Sequence, residues 1–552
     1  MHKKFNKKKD GLYFMAIGGC SEIGMNLYAY IYNDQWILVD MGMGFDNSLG
    51  RELVVPSPQI LLDNKSKIKA LFITHSHEDH IGAIPYFASM IDYPIYGRPF
   101  AIEMIRHKLL QFDLENNISL IKAALKTPIK AGNFSVEFVP VAHSTPESVA
   151  LAITTTAGTI LHSGDWRLDD EPVLGTKTDE ERLREYGNDG IMALVCDSTN
   201  VFNEFRYGSE KEVRKNLIDL AKKYKKNRLL ITCFASNLAR LESCHVAAKE
   251  SGRQLVATGR SIKKIEKIAK LSGYLSDIPP FLDEKKANIL DPAKTLLICT
   301  GSQGEENSAL SKIVADTHRS VKLRSDDVVV FSSRVIPGNE KFVSDIQNQL
   351  VRKGVKVITN IDCDIHASGH PSKEELVHLY GLLKPHVLIP IHGETIQLHR
   401  HAEIGKECGI ENTIIPQNGS LITLTPSEAT IVDTVRIDTL GVDGTKLIPV
   451  NGLVYKHRKQ LSSCGVASIL IRYARGSIKL LSMECFGVFE DSEKVELQDI
   501  QSDISSEIRV SIDRSTGTSN AAQIKLIVAK IAKSIFIEAR GKSPIILVHV
   551  TE

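Results

Sequence analysis

The chain has 552 residues, 43% hydrophobic and 24% charged, with a formal net charge of +2. That balance excludes a disordered chain, and the length allows three or four domains at about 100–200 residues each. No apolar run approaches the roughly 18 residues of a membrane span, so no membrane partner is expected.

The lysine-rich residues 1–10 have no apolar stretch behind them, so no secretory signal is expected. Nine scattered cysteines without a C-x-x-C pair suit a reducing cytoplasm. Residues 11–17, 27–32, 36–39, 70–74, 135–139 and 159–162 alternate with turn signals and read as strands. Helical patterns appear at 102–112 and 120–125. From residue 210 the pattern changes. Helix-like stretches at 210–226, 238–250 and 262–271 alternate with apolar strands at 229–233, 254–258, 295–299, 327–332 and 356–359, which predicts a parallel sheet. A helix at 373–383, a strand at 387–391 and a helix at 397–407 follow. Residues 450–465 show little regular pattern and read as a linker. Beyond them, 468–472, 521–538 and 545–550 predict a small α/β unit of strand, long helix and strand.

The charge is unevenly spread. Residues 209–368 carry 28 Lys and Arg against 19 Asp and Glu, a net of +9, which leaves −7 for the rest. A basic segment in a mildly acidic chain points to a polyanionic partner; a solvated helix face is the equal alternative, and residues 222–228 alone fit it.

The strongest chemical signal is His75-Ser76-His77-Glu78-Asp79-His80, directly after the apolar run 70–74. Three imidazoles and two carboxylates within six residues are costly to bury unpaired, so packing does not explain them. Alternate residues at a strand end point the same way. His75 and His77 can therefore grip one ion, while Asp79 and His80 face a second position. A nitrogen and oxygen ligand set without sulfur suits zinc or manganese. A polar surface turn is the bland alternative.

This H-x-H-x-D-H run resembles that of the metallo-β-lactamase superfamily, whose α/β fold is an αββα sandwich with ligands gathered from strand ends. On that resemblance Asp40 matches the first motif aspartate. His143, in Val141-Ala142-His143-Ser144, matches the third-motif histidine, and Asp165, in His162-Ser163-Gly164-Asp165, the carboxylate bridging two metals. His392, at the end of 387–391, is the last ligand candidate. The basic region between Asp165 and His392 resembles an inserted β-CASP nuclease domain. Cys196-Asp197-Ser198-Thr199-Asn200 is similar to its acidic motif and His366-Ala367-Ser368-Gly369-His370 to its second motif. Histidine at 392 goes with RNA rather than DNA substrates in that comparison. Five further pieces resemble bacterial ribonuclease J: Gly18-Gly19-Cys20-Ser21-Glu22-Ile23-Gly24-Met25-Asn26, Phe234-Ala235-Ser236-Asn237, Gly259-Arg260-Ser261, Thr300-Gly301-Ser302-Gln303-Gly304-Glu305 and Ile336-Pro337-Gly338-Asn339-Glu340. The likeness covers nearly the whole chain. One departure stands out. Residues 45–51 carry one carboxylate and an arginine where relatives have an acidic loop, which puts an accessory calcium in doubt.

The resemblance implies a metallo-β-lactamase domain in two parts, 1–208 and 369–449, around a β-CASP domain at 209–368. A linker at 450–464 and a C-terminal domain at 465–552 complete the chain. It implies two divalent ions per subunit, zinc foremost with manganese as alternative. His75, His77 and His143 would hold one, Asp79, His80 and His392 the other, and Asp165 would bridge. Asp40 would orient a ligand from behind. His370 would be the general acid, held by Asp197, with Asp79 counted in the catalytic group. Ser236, Asn237, His366, Ala367, Ser368, Gly369 and His370 would bind substrate phosphate. His162, His378, His386, His399 and His401 read as structural or exposed. The implied activity is 5′→3′ exonuclease action on single-stranded 5′-monophosphate RNA plus endonuclease action, in mRNA decay and rRNA maturation. A cytoplasmic homodimer or homotetramer is expected. The alternatives are a β-CASP endonuclease without the exonuclease mode, or an inert RNA-binding scaffold.

Overall fold

Strands such as Leu12–Gly18 and Leu27–Tyr32 are buried at every residue, because both faces of their sheet are covered. The computed structural model describes residues 11–46, 52–336, 338–426, 428–474, 477–513 and 520–551. Residues 1–10, Pro337 and residues 47–51 of the loop read for calcium lie outside the described residues. The chain forms two compact units. One joins Val55–Asp438 to the residues up to Gly44, and the other joins Phe45–Val54 to Thr439–Glu552.

The first unit contains an eight-stranded and a seven-stranded sheet. Phe14, Tyr28, Tyr30, Ile37 and Phe72 of the first sheet meet Phe138, Leu151, Val195 and Ile389 of the second in one apolar core. Fully burying each such side chain contributes about 1.5–3 kcal/mol. On the far face of the second sheet, Leu161 and Leu194 pack against Leu376, Leu383 and Ile404 of the helices Lys373–Leu383 and Thr395–Glu407. This is the layered αββα arrangement that the resemblance implies.

Strand direction decides where the chemistry collects. Gln35–Val39 and Ile68–Phe72 run parallel in the first sheet. In the second, Gly158–His162, Ala193–Asp197 and Val387–Ile391 are parallel, and Phe134–Pro140 points the same way because it is two antiparallel steps removed. Asp40, His75, His143, Asp165, Asp197 and His392 therefore all sit at or just beyond the carboxyl ends of their strands.

Within the same unit, residues 229–358 build a six-stranded sheet with only parallel pairs, in the order Leu282–Asp283, Gln254–Thr258, Thr295–Cys299, Leu229–Thr232, Val328–Phe331, Lys356–Ile358. Leu230, Val256, Leu297 and Val329 form its core with Leu310, Ile313 and Leu350 from the helices.

In the second unit, Val466–Ala474 lies between Ser477–Phe486 (antiparallel) and Ile545–Thr551 (parallel). Ile469 and Ile471 pack under Ile504, Ile508, Ile524, Val528 and Phe536 of the helices Lys494–Asp513 and Ala521–Arg540. The hairpin partner Ser477–Phe486 and the helix Lys494–Asp513 were not expected from the sequence. Two expectations are corrected. Residues 450–464 are not an irregular linker: Leu453–Cys464 is a helix, with Tyr455 buried over Gly441 and Gly465 (φ 72°) ending it. Its polar run 456–460 hides the single buried face. Residues 120–125 are not helical either: Leu120–Lys122 is an edge strand paired with Ile95–Gly97, too short a stretch for the helical period to decide.

Candidate metal centre

The turn after Ile68–Phe72 brings His75 and His77 to one side and Asp79 and His80 to the other. His77 Nδ1 is 3.1 Å from both His75 Nε2 and His143 Nε2. His392 Nε2 is 3.1 Å from Asp79 Oδ2, and His80 Nε2 is 3.6 Å from it. Asp165 Oδ2 lies between the groups: 3.2 Å from His80, 3.6 Å from His75 and His392, and 3.8 Å from His143. Two four-residue clusters result, His75–His77–His143–Asp165 and Asp79–His80–His392–Asp165, with all donor atoms of each within 4.8 Å of one another. The structure thus brings these seven side chains together in two clusters that share Asp165.

The outward nitrogens explain why these atoms face inward. His80 Nδ1 donates to Asp40 Oδ2 at 2.7 Å, and His143 Nδ1 donates to the Gly369 carbonyl at 2.6 Å. His75 Nδ1 meets Thr74 Oγ1 at 3.0 Å, and His392 Nδ1 meets Thr199 Oγ1 at 2.7 Å. Such outer partners fix tautomer and ring orientation. Asp40 is fully buried and also accepts from Thr74 N–H and Thr74 Oγ1–H, both at 2.8 Å. It acts behind His80. Asp40 (φ 58°) and His392 (φ 53°) adopt the left-handed backbone that non-glycine residues avoid, a strain of order 1–3 kcal/mol each that the surrounding packing holds in place. His162 and His401 are buried behind the site, bonded to Tyr30 and Ser198.

Burial holds His77 down at about 4, and it pushes His75 and His143 well below the ordinary histidine range. These three rings are neutral. His143 spends its N–H on the Gly369 carbonyl and His75 points its own at Thr74, so lone pairs face one another across the first cluster. A cation satisfies all of these lone pairs at once, whereas a proton on His77 Nδ1 would leave lone pairs unmatched. Burial also opposes charge on His392, yet Asp165, Asp79 and Asp197 lift it to about 9. His80 is likewise raised, against its burial, by Asp165, Asp79 and Asp40. The residues present fit two divalent ions.

Beside the clusters, His370 Nδ1 donates to Asp197 Oδ2 at 2.7 Å. Burial works against protonated His370, but Asp197 and then Asp165 raise its pKa above the ordinary value. Gly369 is required sterically: a Cβ there would lie 2.6 Å from the His143 ring. Ser368 Oγ accepts from Asn200 Nδ2 (2.8 Å) and His370 N–H (3.2 Å). His366 Nδ1 is buried with no partner among the described residues, and burial with Arg240, Arg167 and Arg334 nearby keeps its ring neutral. Asn237 Oδ1 caps the helix Leu238–Glu250 by accepting from Arg240 N–H, which leaves only its amide nitrogen for a ligand. Arg240 donates to the Ile365 carbonyl and so ties Ser236 and Asn237 to the 366–370 loop. Thr74, Thr199, Asn200, Arg167 and Arg334 were missed. Thr199 and Asn200 stood inside the acidic motif, but nothing local marked the others.

Three family models match successive parts of the chain: the metallo-beta-lactamase superfamily at residues 24–219, the ribonuclease J beta-CASP domain at 226–350, and the Zn-dependent metallo-hydrolase RNA specificity domain at 354–416. Ribonuclease J of Sinorhizobium meliloti is 39% identical over 466 residues, covering 83% of this chain and 82% of its own. The chain belongs to the ribonuclease J family. Ribonuclease J 1 of Streptococcus pyogenes is 36% identical over 82% of this chain and 81% of its own, and ribonuclease J of Mycobacterium tuberculosis 33% identical over 88% of each. A solved protein of unknown function from Enterococcus faecalis, 18% identical, shares the fold with a TM-score of 0.52 over 75% of this chain and 100% of its own. As a member of the ribonuclease J family the chain is a metal-dependent hydrolytic ribonuclease, with a divalent-metal centre and RNA as substrate. No described helix is long and apolar enough to cross a membrane.

Metal and protons compete for His80 and His392. Both are protonated in the cation-free site up to a pH near 9 for His392, and both must be neutral to bind a metal. Loading zinc or manganese at pH 7 is expected to release protons, and affinity is expected to weaken as pH falls. Calorimetry in buffers of different ionisation enthalpy reads this; no net proton release would contradict it.

Proposed function

We propose that the chain is a two-metal ribonuclease degrading single-stranded 5′-monophosphate RNA from its 5′ end, with internal cleavage as a second mode. The metals are zinc or manganese. His75, His77 and His143 would hold one, Asp79, His80 and His392 the other, and Asp165 would be shared between them. A pair of divalent ions supplies Lewis-acid activation of water and charge stabilisation during in-line displacement at phosphorus. The protein's own contribution is the proton. His370 carries it on Nε2 while Nδ1–H stays on Asp197, and gives it to the leaving 3′-oxygen. We further propose a cytoplasmic role in mRNA decay and rRNA maturation, within the domain limits 1–208, 209–368, 369–449 and 465–552.

One observation carries the 5′-end reading: the buried His366 Nδ1, without a partner among the described residues, set among Arg167, Arg240 and Arg334 and a few residues from the general acid. That surrounding suits a terminal phosphate. In this reading Ser236, Asn237, His366, Ala367, Ser368 and Gly369 would supply hydroxyl, amide, imidazole and backbone groups to it. Hydrogen bonds to a charged acceptor contribute roughly 1.5–3 kcal/mol each. A 5′-hydroxyl leaves those donors unpaired, and a triphosphate adds bulk.

RNA with a 5′-monophosphate is therefore expected to be degraded to mononucleotides faster than 5′-hydroxyl or 5′-triphosphate RNA, and Ser368→Ala should weaken this mode more than internal cutting. Product sizing decides it. Equal rates on all three ends would favour an endonuclease without the terminal mode, and no cleavage of any would favour an RNA-binding scaffold.

The +9 segment supports phosphate contacts that displace counterions. RNA affinity should fall steeply between low and moderate salt, read by filter binding. A flat response would make the basic residues a solvated surface.

The C-terminal sheet supports self-association. Its face away from the helices pairs Val466 with both Phe486 and Ile545, and Ser468 with Leu547. Phe486 is 67% and Leu547 46% exposed, apolar side chains that a second copy would cover. We propose a homodimer or homotetramer through this face. Sedimentation of a Phe486→Asp, Leu547→Asp protein should show monomer with the metals retained; an unchanged oligomer would place the interface elsewhere.

A further inference from the structure

One hydroxyl joins the metal centre to the proposed general acid. Thr199 Oγ1 lies 2.7 Å from His392 Nδ1, 2.7 Å from Asp197 Oδ1 and 3.1 Å from the His392 carbonyl oxygen. The Thr199 N–H donates to the same Asp197 Oδ1 at 2.8 Å. Its carbonyl accepts from Gln397 Nε2 at 2.6 Å, which pins the residue to the helix Thr395–Glu407 that follows His392.

A hydroxyl has one proton to give and can accept in return. His392 Nε2 faces Asp79 and Asp165, so as a metal-facing atom it carries a lone pair and Nδ1 carries the ring proton. Nδ1–H then donates to Thr199 Oγ1. The Thr199 proton has two possible acceptors. It goes to the Asp197 carboxylate rather than the neutral His392 carbonyl, because hydrogen bonds to an ionised acceptor are roughly twice as strong. Asp197 Oδ1 is thereby fixed by two donors from Thr199. Its other oxygen, Oδ2, receives His370 Nδ1–H at 2.7 Å. The line reads His392, Thr199, Asp197, His370, with the protons converging on the Asp197 carboxylate from both sides.

We infer that Thr199 is a positioning residue, holding the ring of His392 and the carboxylate plane of Asp197 in one register, so that the general acid His370 keeps a fixed place relative to the metal-facing ring of His392. This rests on the reading of His370 as general acid. Valine keeps the shape of threonine but leaves His392 Nδ1–H without its acceptor and Asp197 with one donor fewer. Serine restores the hydroxyl.

The test uses full-length, metal-loaded protein as wild type, Thr199→Val, Thr199→Ser and His370→Ala. Two substrates are compared, RNA and bis(p-nitrophenyl) phosphate, whose phenolate departs without needing a proton, and metal content is measured for each protein. Thr199→Val should lower kcat on RNA about 10- to 100-fold, the usual cost of losing an outer partner, with KM unchanged. Its rate on the phenyl ester should fall less, its metals should stay bound, and Thr199→Ser should recover most of the loss. Wild-type kcat in Thr199→Val while His370→Ala is inactive would overturn the inference and leave the general acid standing. So would equal losses on both substrates accompanied by lost metal, which would reduce Thr199 to a support for His392 alone. Wild-type RNA cleavage by His370→Ala would remove the general acid and the inference with it.

Discussion

Everything at the centre depends on one buried carboxylate. Asp165 is 2% exposed, and its Oδ2 lies within 3.8 Å of ring nitrogens from His75, His80, His143 and His392. An isolated carboxylate in that position would cost many kcal/mol of desolvation and would take up a proton instead. Here the surrounding histidines hold its pKa well below the ordinary carboxylate value in spite of the burial. The carboxylate is thereby favoured in its charged form, and the site is built to attract cations around it.

Four rings can face one oxygen only if their other nitrogens are occupied elsewhere. Asp40, Thr74, Thr199 and the Gly369 carbonyl provide those partners, each at the end of a strand or in a loop anchored to one. The left-handed backbone at Asp40 and His392 shows what the convergence costs locally. Two sheets with a shared, fully buried core hold these turns against that strain. Rigid elements, rather than mobile loops, fix the donor atoms.

The parallel-sheet insertion is joined to this frame by buried charge. Arg167 donates to the carbonyls of Ser368 and Gly208, one from each of the two chain segments that lead into and out of the insertion, while its charge is matched by Asp169. Arg240 binds Glu210 and the Ile365 carbonyl. Removing one member of such a buried pair costs about 3–5 kcal/mol, because the other is left uncompensated. The loop 366–370 is thus set by the same arginines that give its surroundings a positive potential.

The sequence by itself determined the ligand types and the layered fold. His75, His77, Asp79 and His80 are close in the chain, and a strand end dictates which way each points. The long alternation after residue 210 has only one stable solution, a parallel sheet. Short or polar segments were not legible: 120–122 and 453–464 owe their form to the edge of a sheet and to Tyr455 packing on Gly441, contacts made far along the chain. The outer partners were hidden for the same reason. A threonine hydroxyl or an arginine carries no local signature, and Thr199 is separated from His392 by 193 positions in sequence but by 2.7 Å in space. Composition and spacing can place a metal ligand at a strand end. Only the folded chain decides which proton each ligand's other nitrogen gives, and to whom.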